Sequence, residues 1–421
     1  MKHPDWSKNA NIYEVNIRQY TVEGTLNAFR EHLPRLKEMA VDIIWIMPVQ
    51  PIGKKNRKGT LGSYYSISNY TSVNDELGTL SNFKTMVEEA HNLGMKVLLD
   101  WVANHTSWDN IWTKEQPDFY KKDEEGRFIS PWDWTDVIAL NYENHMMHNS
   151  MMDAMKYWVE KTNIDGFRCD MAGMVPVDFW NEAKSELEKI KPLFMLAEDE
   201  EVAELLDFAF DMNFTWEMHH LMNKIAHGEK QAQDIWWKLG SYKERYPEDA
   251  YRMYFTSNHD ENSHSGTAVE RMGDATKTFA VLSYVLPGMP LIYSGQETET
   301  SKSLLFFEKD SIDWSHIPLH NFYKTLNLLK KTNKALWNGT AGGELIRIGG
   351  ESELQVFTFY REKEGNIVVS ILNLSNSKQT ITLDQSRIEG EYTDVFSGEK
   401  INLANGLEIN LKPWEYLVLT K

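Results

Sequence analysis

The 421-residue chain has a single cysteine, Cys169, so no intrachain disulfide can form and thiol-based metal sites are excluded. The redox compartment is left open by that count. Apolar runs never approach the length needed to cross a bilayer, and the N-terminal stretch MKHPDWSKNANIYEV lacks the apolar centre of a signal peptide. The chain as it stands is therefore expected in the cytoplasm, with the periplasm or exterior open if a leader has been removed. Serine/glycine linkers, low-complexity tracts and short internal repeats are also missing. Basic residues are comparatively scarce: 44 against 62 acidic ones, a net charge of −18. Such a surface repels nucleic acid and anionic membranes, and a neutral partner fits it better. What is present is a globular composition, 42% hydrophobic and 12% aromatic, enough to bury a large core.

One stretch asks for explanation. In NIDGFRCDMAGM (163–174), Arg168 and Asp170 stand two positions apart with Cys169 between them. Strand side chains alternate, so Arg168 and Asp170 share one face while Phe167, Cys169 and Met171 share the other. Cys169 then reads as a small core residue facing outward.

Around this stretch, strand and helix patterns alternate. The sequence predicts strands at 12–20, 41–49, 95–102, 165–171 and 193–198, with further strands in DFAFDMNF, RMYFTSNH and MPLIYSGQ. Helices are predicted over 25–40, 79–94, 147–162 and 176–190. Eight apolar strands covered by helices imply an α/β fold, a (β/α)8 TIM barrel. After Asn104 the pattern breaks for about forty residues rich in tryptophan (Trp108, Trp112, Trp132, Trp134), too long for an ordinary βα loop. These tryptophans suit sugar platforms or the core of a small inserted domain equally well. From about 340, short alternating runs (353–361, 366–375, 379–383, 414–421) predict an antiparallel β-sandwich. The expected organisation is a barrel of 1–104 and 146–335, an insert of 105–145 after strand 3, and a C-terminal β-sandwich of 336–421.

Reactive groups of such barrels gather at the C-terminal ends of the strands. LLDWVANH brings Asp100, Asn104 and His105 to the third strand's end, GFRCD brings Arg168 and Asp170 to the fourth, FMLAE brings Glu198 to the fifth and FTSNHD brings Asn258, His259 and Asp260 to the seventh.

These ordered blocks, DWVANH, GFRCD, AE and SNHD, resemble the four signature regions of glycoside hydrolase family 13, the α-amylase family. GSYYSISNYTSVNDELGT is similar to a further family segment, and the likeness spans almost the whole chain. It implies retaining hydrolysis, in which Asp170 is the nucleophile, Glu198 the general acid/base and Asp260 a hydrogen-bond partner of sugar hydroxyls. Tyr65, His105 and His259 match residues that contact the sugar. Arg168 is placed with them and is expected to keep Asp170 ionised by its charge. Asp100, Asn104 and Asn258 match structural supports.

The implied activity is cleavage of α-glucosidic bonds, first α-1,4, in malto-oligosaccharides or starch-type glucans. A transglycosylase or isomerase of the same family, an α-1,6-glucosidase and an inactive carbohydrate-binding homologue are the alternatives. The partner is then an α-glucan, and the chain is expected to be a monomer. Family members often bind calcium between insert and barrel, using an asparagine like Asn104, acids of the insert and the residue four after the nucleophile. Here that residue is Met174, a poor ligand for a hard cation. No cofactor is expected to be required, and no more than a weak calcium site.

Overall fold

A computed structural model describes residues 3–349, 354–384 and 386–421. Eight parallel strands close into a barrel: β1 (Ile12–Val15), β2 (Ile43–Ile46), β3 (Lys96–Val102), β6 (Gly166–Asp170), β7 (Phe194–Ala197), β8 (Met212–Phe214), β9 (Tyr251–Phe255) and β10 (Met289–Tyr293). Between β3 and β6 lies the insert, with the hairpin β4 (His105–Ser107) and β5 (Val137–Ala139). His105 thus opens the insert instead of ending the third barrel strand.

The period-two rule explains how the barrel changes from an apolar floor to a polar mouth. Ile12, Leu98 and Leu196 belong to the buried floor together with Ile43, Phe194, Met212 and Met253. Two residues further along their strands come Glu14, Asp100 and Glu198. Gly166 occupies the equivalent place below Arg168 and Asp170. A Cβ at Gly166 would lie 1.8 Å from the Phe194 carbonyl oxygen, so close strand packing requires glycine there.

The C-terminal region has a six-stranded antiparallel sheet of β11 (Leu345–Arg347), β12 (Val356–Lys363), β13 (Asn366–Asn373), β15 (Gly390–Asp394), β16 (Lys400–Leu403) and β18 (Tyr416–Thr420). A two-stranded sheet, β14 (Gln379–Thr382) and β17 (Glu408–Leu411), packs on it through Ile381 and Leu411. The predicted start of one strand, at 353, lies outside the described residues. Among the described residues no helix is long and apolar enough to cross a membrane.

Three local expectations are corrected. The strand expected over 12–20 ends at Val15, and Ile17–Tyr20 form a helical turn. The Asn16 carbonyl accepts from the Gln19 and Tyr20 amides, and its side chain donates to Gln19 at 3.0 Å. The single helix expected over 25–40 is two, Leu26–Arg30 and Leu33–Glu38. Pro34, without an N–H, cannot continue the first and instead sits in the first turn of the second. Met171 does not continue β6: its φ of 45° is left-handed and its amide donates to Glu198 at 3.0 Å.

Candidate active site

Strand register sets the geometry of the mouth. Asp100 pairs with Arg168 and Val102 with Asp170 across β3 and β6, while Cys169 pairs with Ala197 across β6 and β7. The Glu198 amide then donates to the Cys169 carbonyl at 3.0 Å, placing Asp170 and Glu198 at neighbouring strand ends. Adjacent strands lie ~4.8 Å apart, close to the roughly 5 to 5.5 Å that double displacement at a sugar requires.

Arg168 is fully buried under these acids. Its Nη1 donates to Asp100 at 2.9 Å and to Asp170 at 3.1 Å. Its Nη2 lies 2.7 Å from Glu198 Oε2, off the hydrogen-bonding direction, so that contact is electrostatic. Three rings surround the guanidinium: Trp45 at 5.0 Å, Phe214 at 5.4 Å and Tyr65 at 5.6 Å from its central carbon. Their faces compensate part of the hydration it has lost.

One cation is therefore shared by three carboxylates, and this modifies the expectation that Arg168 keeps Asp170 ionised. Burial and the neighbouring Glu198 push the Asp170 carboxyl up, and Arg168 only partly opposes them. Burial likewise raises Glu198, against the pull of Arg168. The two acids, both in contact with one cation, titrate as a pair. With no exposed surface, Arg168 can act on a sugar only through the acids it positions.

Asp100 is also fully buried and accepts from the Trp45 indole at 3.0 Å as well as from Arg168. It is a load inside the barrel, not a solvated strand-end acid. Tyr65 donates to Asp100 at 3.1 Å, and its oxygen lies 2.7 Å from His259 Nε2. Since the phenol proton is directed to Asp100, the Tyr65 oxygen accepts from His259. On the other side of that ring, His259 Nδ1 is 2.5 Å from Glu14.

Both nitrogens of His259 are thus donors, the pattern of an imidazolium. Burial alone would lower its pKa, but the charges of Asp260 and Glu14 and the Glu14 hydrogen bond hold it at about 9. Glu14 was not apparent in the sequence. Its position two residues beyond Ile12, level with Asp100 beyond Leu98, is the signal that could have found it. A group raised from 6.5 to about 9 contributes stability that is complete below pH 6.5 and lost as pH rises through about 9. Glu14→Gln should bring the His259 titration below about 8, read from its ring resonances by NMR. An unmoved titration would assign the shift to Asp260 alone.

His105 is buried, its ring edge-on to Trp134 at 5.5 Å, and burial lowers it to about 4, so it is neutral. Asn104 contacts His105 through its side chain at 3.1 Å, and its carbonyl accepts from the Leu140 amide. Asn258 is buried and accepts from the Glu261 amide at 2.8 Å, fixing the loop that carries Asp260. Asp260 is partly exposed, 3.5 Å from His259 Nε2. The tryptophans divide: Trp112 packs on Phe119 of the insert and on Tyr70 from the segment between β2 and β3, Trp108 donates to the Thr135 carbonyl, and Trp132, 58% exposed, packs beside Trp134.

Met174 is exposed, the Asn104 carbonyl is occupied, and the insert acids Asp109, Asp118, Asp123 and Asp136 are held by backbone amides or by Lys122, Arg127 and Lys58. Among the described residues no three His, Cys, Asp or Glu side chains converge as a metal site. Direct bonds join insert and barrel, including Tyr142 to the Ala103 carbonyl at 2.8 Å and Tyr70 to the His105 carbonyl at 3.2 Å.

The family described as alpha amylase, catalytic domain, matches residues 4–138 and 122–317. Alpha-amylase MalA of Haloarcula japonica is 28% identical over 94% of this chain, which spans 59% of that protein's length. Among solved structures, the noncanonic maltogenic alpha-amylase AmyB of Thermotoga neapolitana superposes with a TM-score of 0.90 at 27% identity, covering 99% of both chains. An alpha-amylase of Lactobacillus plantarum gives a TM-score of 0.89, also at 27% identity with 99% coverage of both.

Proposed function

The chain belongs to the α-amylase catalytic-domain family, glycoside hydrolase family 13, and from that premise we propose that it is a retaining hydrolase of α-1,4 bonds in malto-oligosaccharides. The observation that carries this reading is the Asp170–Glu198 pair, two acids on neighbouring strand ends sharing one buried guanidinium. The related AmyB is described as maltogenic, which favours maltose-type products.

In this reading the ionised Asp170 attacks the anomeric carbon while Glu198 passes its proton to the departing glycosidic oxygen. A glycosyl ester on Asp170 forms and the leaving sugar departs as an alcohol. Glu198, now ionised, takes a proton from water, whose oxygen attacks the same carbon and releases Asp170. Asp260 holds sugar hydroxyls, the charged His259 braces Asp260 and Tyr65 from beneath, and neutral His105 donates a further hydrogen bond. Tyr65 presents its ring to the sugar's apolar face.

Incubation with maltoheptaose, pullulan, isomaltose and sucrose, with products resolved over time, tests the substrate class. Maltoheptaose should disappear first. Faster loss of isomaltose or sucrose would overturn the α-1,4 assignment.

Calcium is given no part in the proposed mechanism, because Met174 puts a thioether where the family has an oxygen ligand. EDTA should leave activity intact and shift the melting temperature by less than about 2 °C, within what loss of a weakly held ion would produce. A large drop reversed by calcium would show a site built from other ligands.

A further inference from the structure

The segment Leu304–Lys309, which follows β10, crosses the barrel mouth as a strap tied to three different loops. The Leu304 amide donates to Asn262 at 2.9 Å, beyond β9. Gln19, beyond β1, donates to the Leu305 carbonyl at 2.7 Å, and Lys309 donates to the Arg18 carbonyl at 2.7 Å. Beyond β2, the Leu61 amide donates to the Phe307 carbonyl at 3.1 Å and the Thr60 amide to Glu308 at 2.9 Å. Two left-handed glycines leave room for it. A Cβ at Gly59 would lie 2.5 Å from the Phe307 Cβ, and one at Gly24 would lie 2.1 Å from the Lys309 ammonium.

This anchoring fixes the ring of Phe306 inside the mouth. It lies nearly parallel to Tyr65 at 6.4 Å and to His259 at 6.5 Å, with Tyr64 edge-on at 5.5 Å and His264 at 5.1 Å. In the barrel order β1-β10-β9-β8-β7-β6-β3-β2, these contacts belong to the arc β9-β10-β1-β2, and Glu198 follows β7 on the opposite arc. The general acid must face the departing sugar. Phe306 lies beside Tyr65, whose ring the proposed mechanism sets against the retained sugar, so it borders the sugar that stays on Asp170.

We propose that Phe306, held by the strap, closes the end of the cleft that receives the retained sugar, so that the protein cuts short units from the non-reducing ends of α-glucan chains. An internal cut would need the chain to continue through the plane of the Phe306 ring, and the anchors of the strap on three loops oppose its withdrawal. This inference rests on the retaining-hydrolase reading and specifies its substrate as a chain end.

The test compares 4-nitrophenyl α-maltoheptaoside carrying a free non-reducing end with the same compound blocked there by a 4,6-ketal. The wild-type protein should cleave the free compound at least roughly tenfold faster in kcat/KM, the scale at which a pocket rejects added bulk. Phe306→Ala should reduce that ratio several-fold by accelerating the blocked substrate. Phe306→Leu, which keeps apolar packing under the strap but removes the ring, is the second variant should Phe306→Ala fold poorly, and should shift the ratio the same way. Equal cleavage of both compounds by the wild type, or a ratio unmoved by a folded variant, overturns the closure. Cleavage of neither would overturn the hydrolase reading itself, a distinguishable failure.

Discussion

Asp170→Asn should lower kcat on maltoheptaose by on the order of 10⁴ or more, because the covalent step is lost while the substrate contacts stay. The fold should survive. An asparagine oxygen can still accept from Arg168 Nη1, which contacts Asp170 at 3.1 Å, and the variant removes one negative charge from a buried cluster. Burial and Glu198 push the Asp170 carboxyl up, so its ionised form is a cost to the folded state that the amide does not carry. The melting temperature should therefore be unchanged or higher, and that separates loss of chemistry from loss of structure. In Asp170→Ala, azide should restore turnover from the vacated face and give a β-glycosyl azide. Retention of a tenth of wild-type activity, or an α-azide product, would remove Asp170 from the nucleophile's role.

Glu198→Gln should divide substrates by their leaving groups. A sugar alkoxide needs a proton as it departs, so kcat/KM on maltoheptaose should fall by about 10²- to 10⁴-fold. Fluoride needs little help, and the first step with α-maltosyl fluoride should fall by less than about tenfold. The amide can still accept from the Met171 amide, now at 3.0 Å from Glu198 Oε2, so the loop after β6 keeps its anchor. Equal losses on both substrates would argue against proton transfer by Glu198 and for a purely electrostatic part.

The barrel was legible because strand alternation is a local property. Leu98 to Asp100 and Leu196 to Glu198 each show an apolar floor residue followed two positions later by an acid, and the order of such pairs along the chain exposes the mouth. Glu14 follows the same rule, yet a single glutamate in IYEVN carries no neighbouring signature, and its role depends on His259, 245 positions away. Arg168 was legible as a partner of Asp170 two residues on. That it also serves Asp100 and Glu198 depends on the register of β3, β6 and β7, which a single strand does not reveal. The strap was not legible at all: KSLLFFEKDS has neither helical nor strand periodicity, and its anchors lie on loops more than 40 positions away. The turn at Ile17–Tyr20 is hidden for the opposite reason, since Val15, Asn16, Ile17 and Arg18 alternate apolar and polar as in a strand until Asn16 folds its own carbonyl back onto the next residues.

The anomeric form of the first product tests the central claim most directly. Proton NMR of maltoheptaose during the first minutes of hydrolysis should show the newly formed reducing end as the α-anomer, because two displacements at one carbon restore its configuration. The β-anomer should then appear only at the slower rate of mutarotation. A β-anomer that appears first would mean a single displacement by water, and would contradict the paired roles given to Asp170 and Glu198.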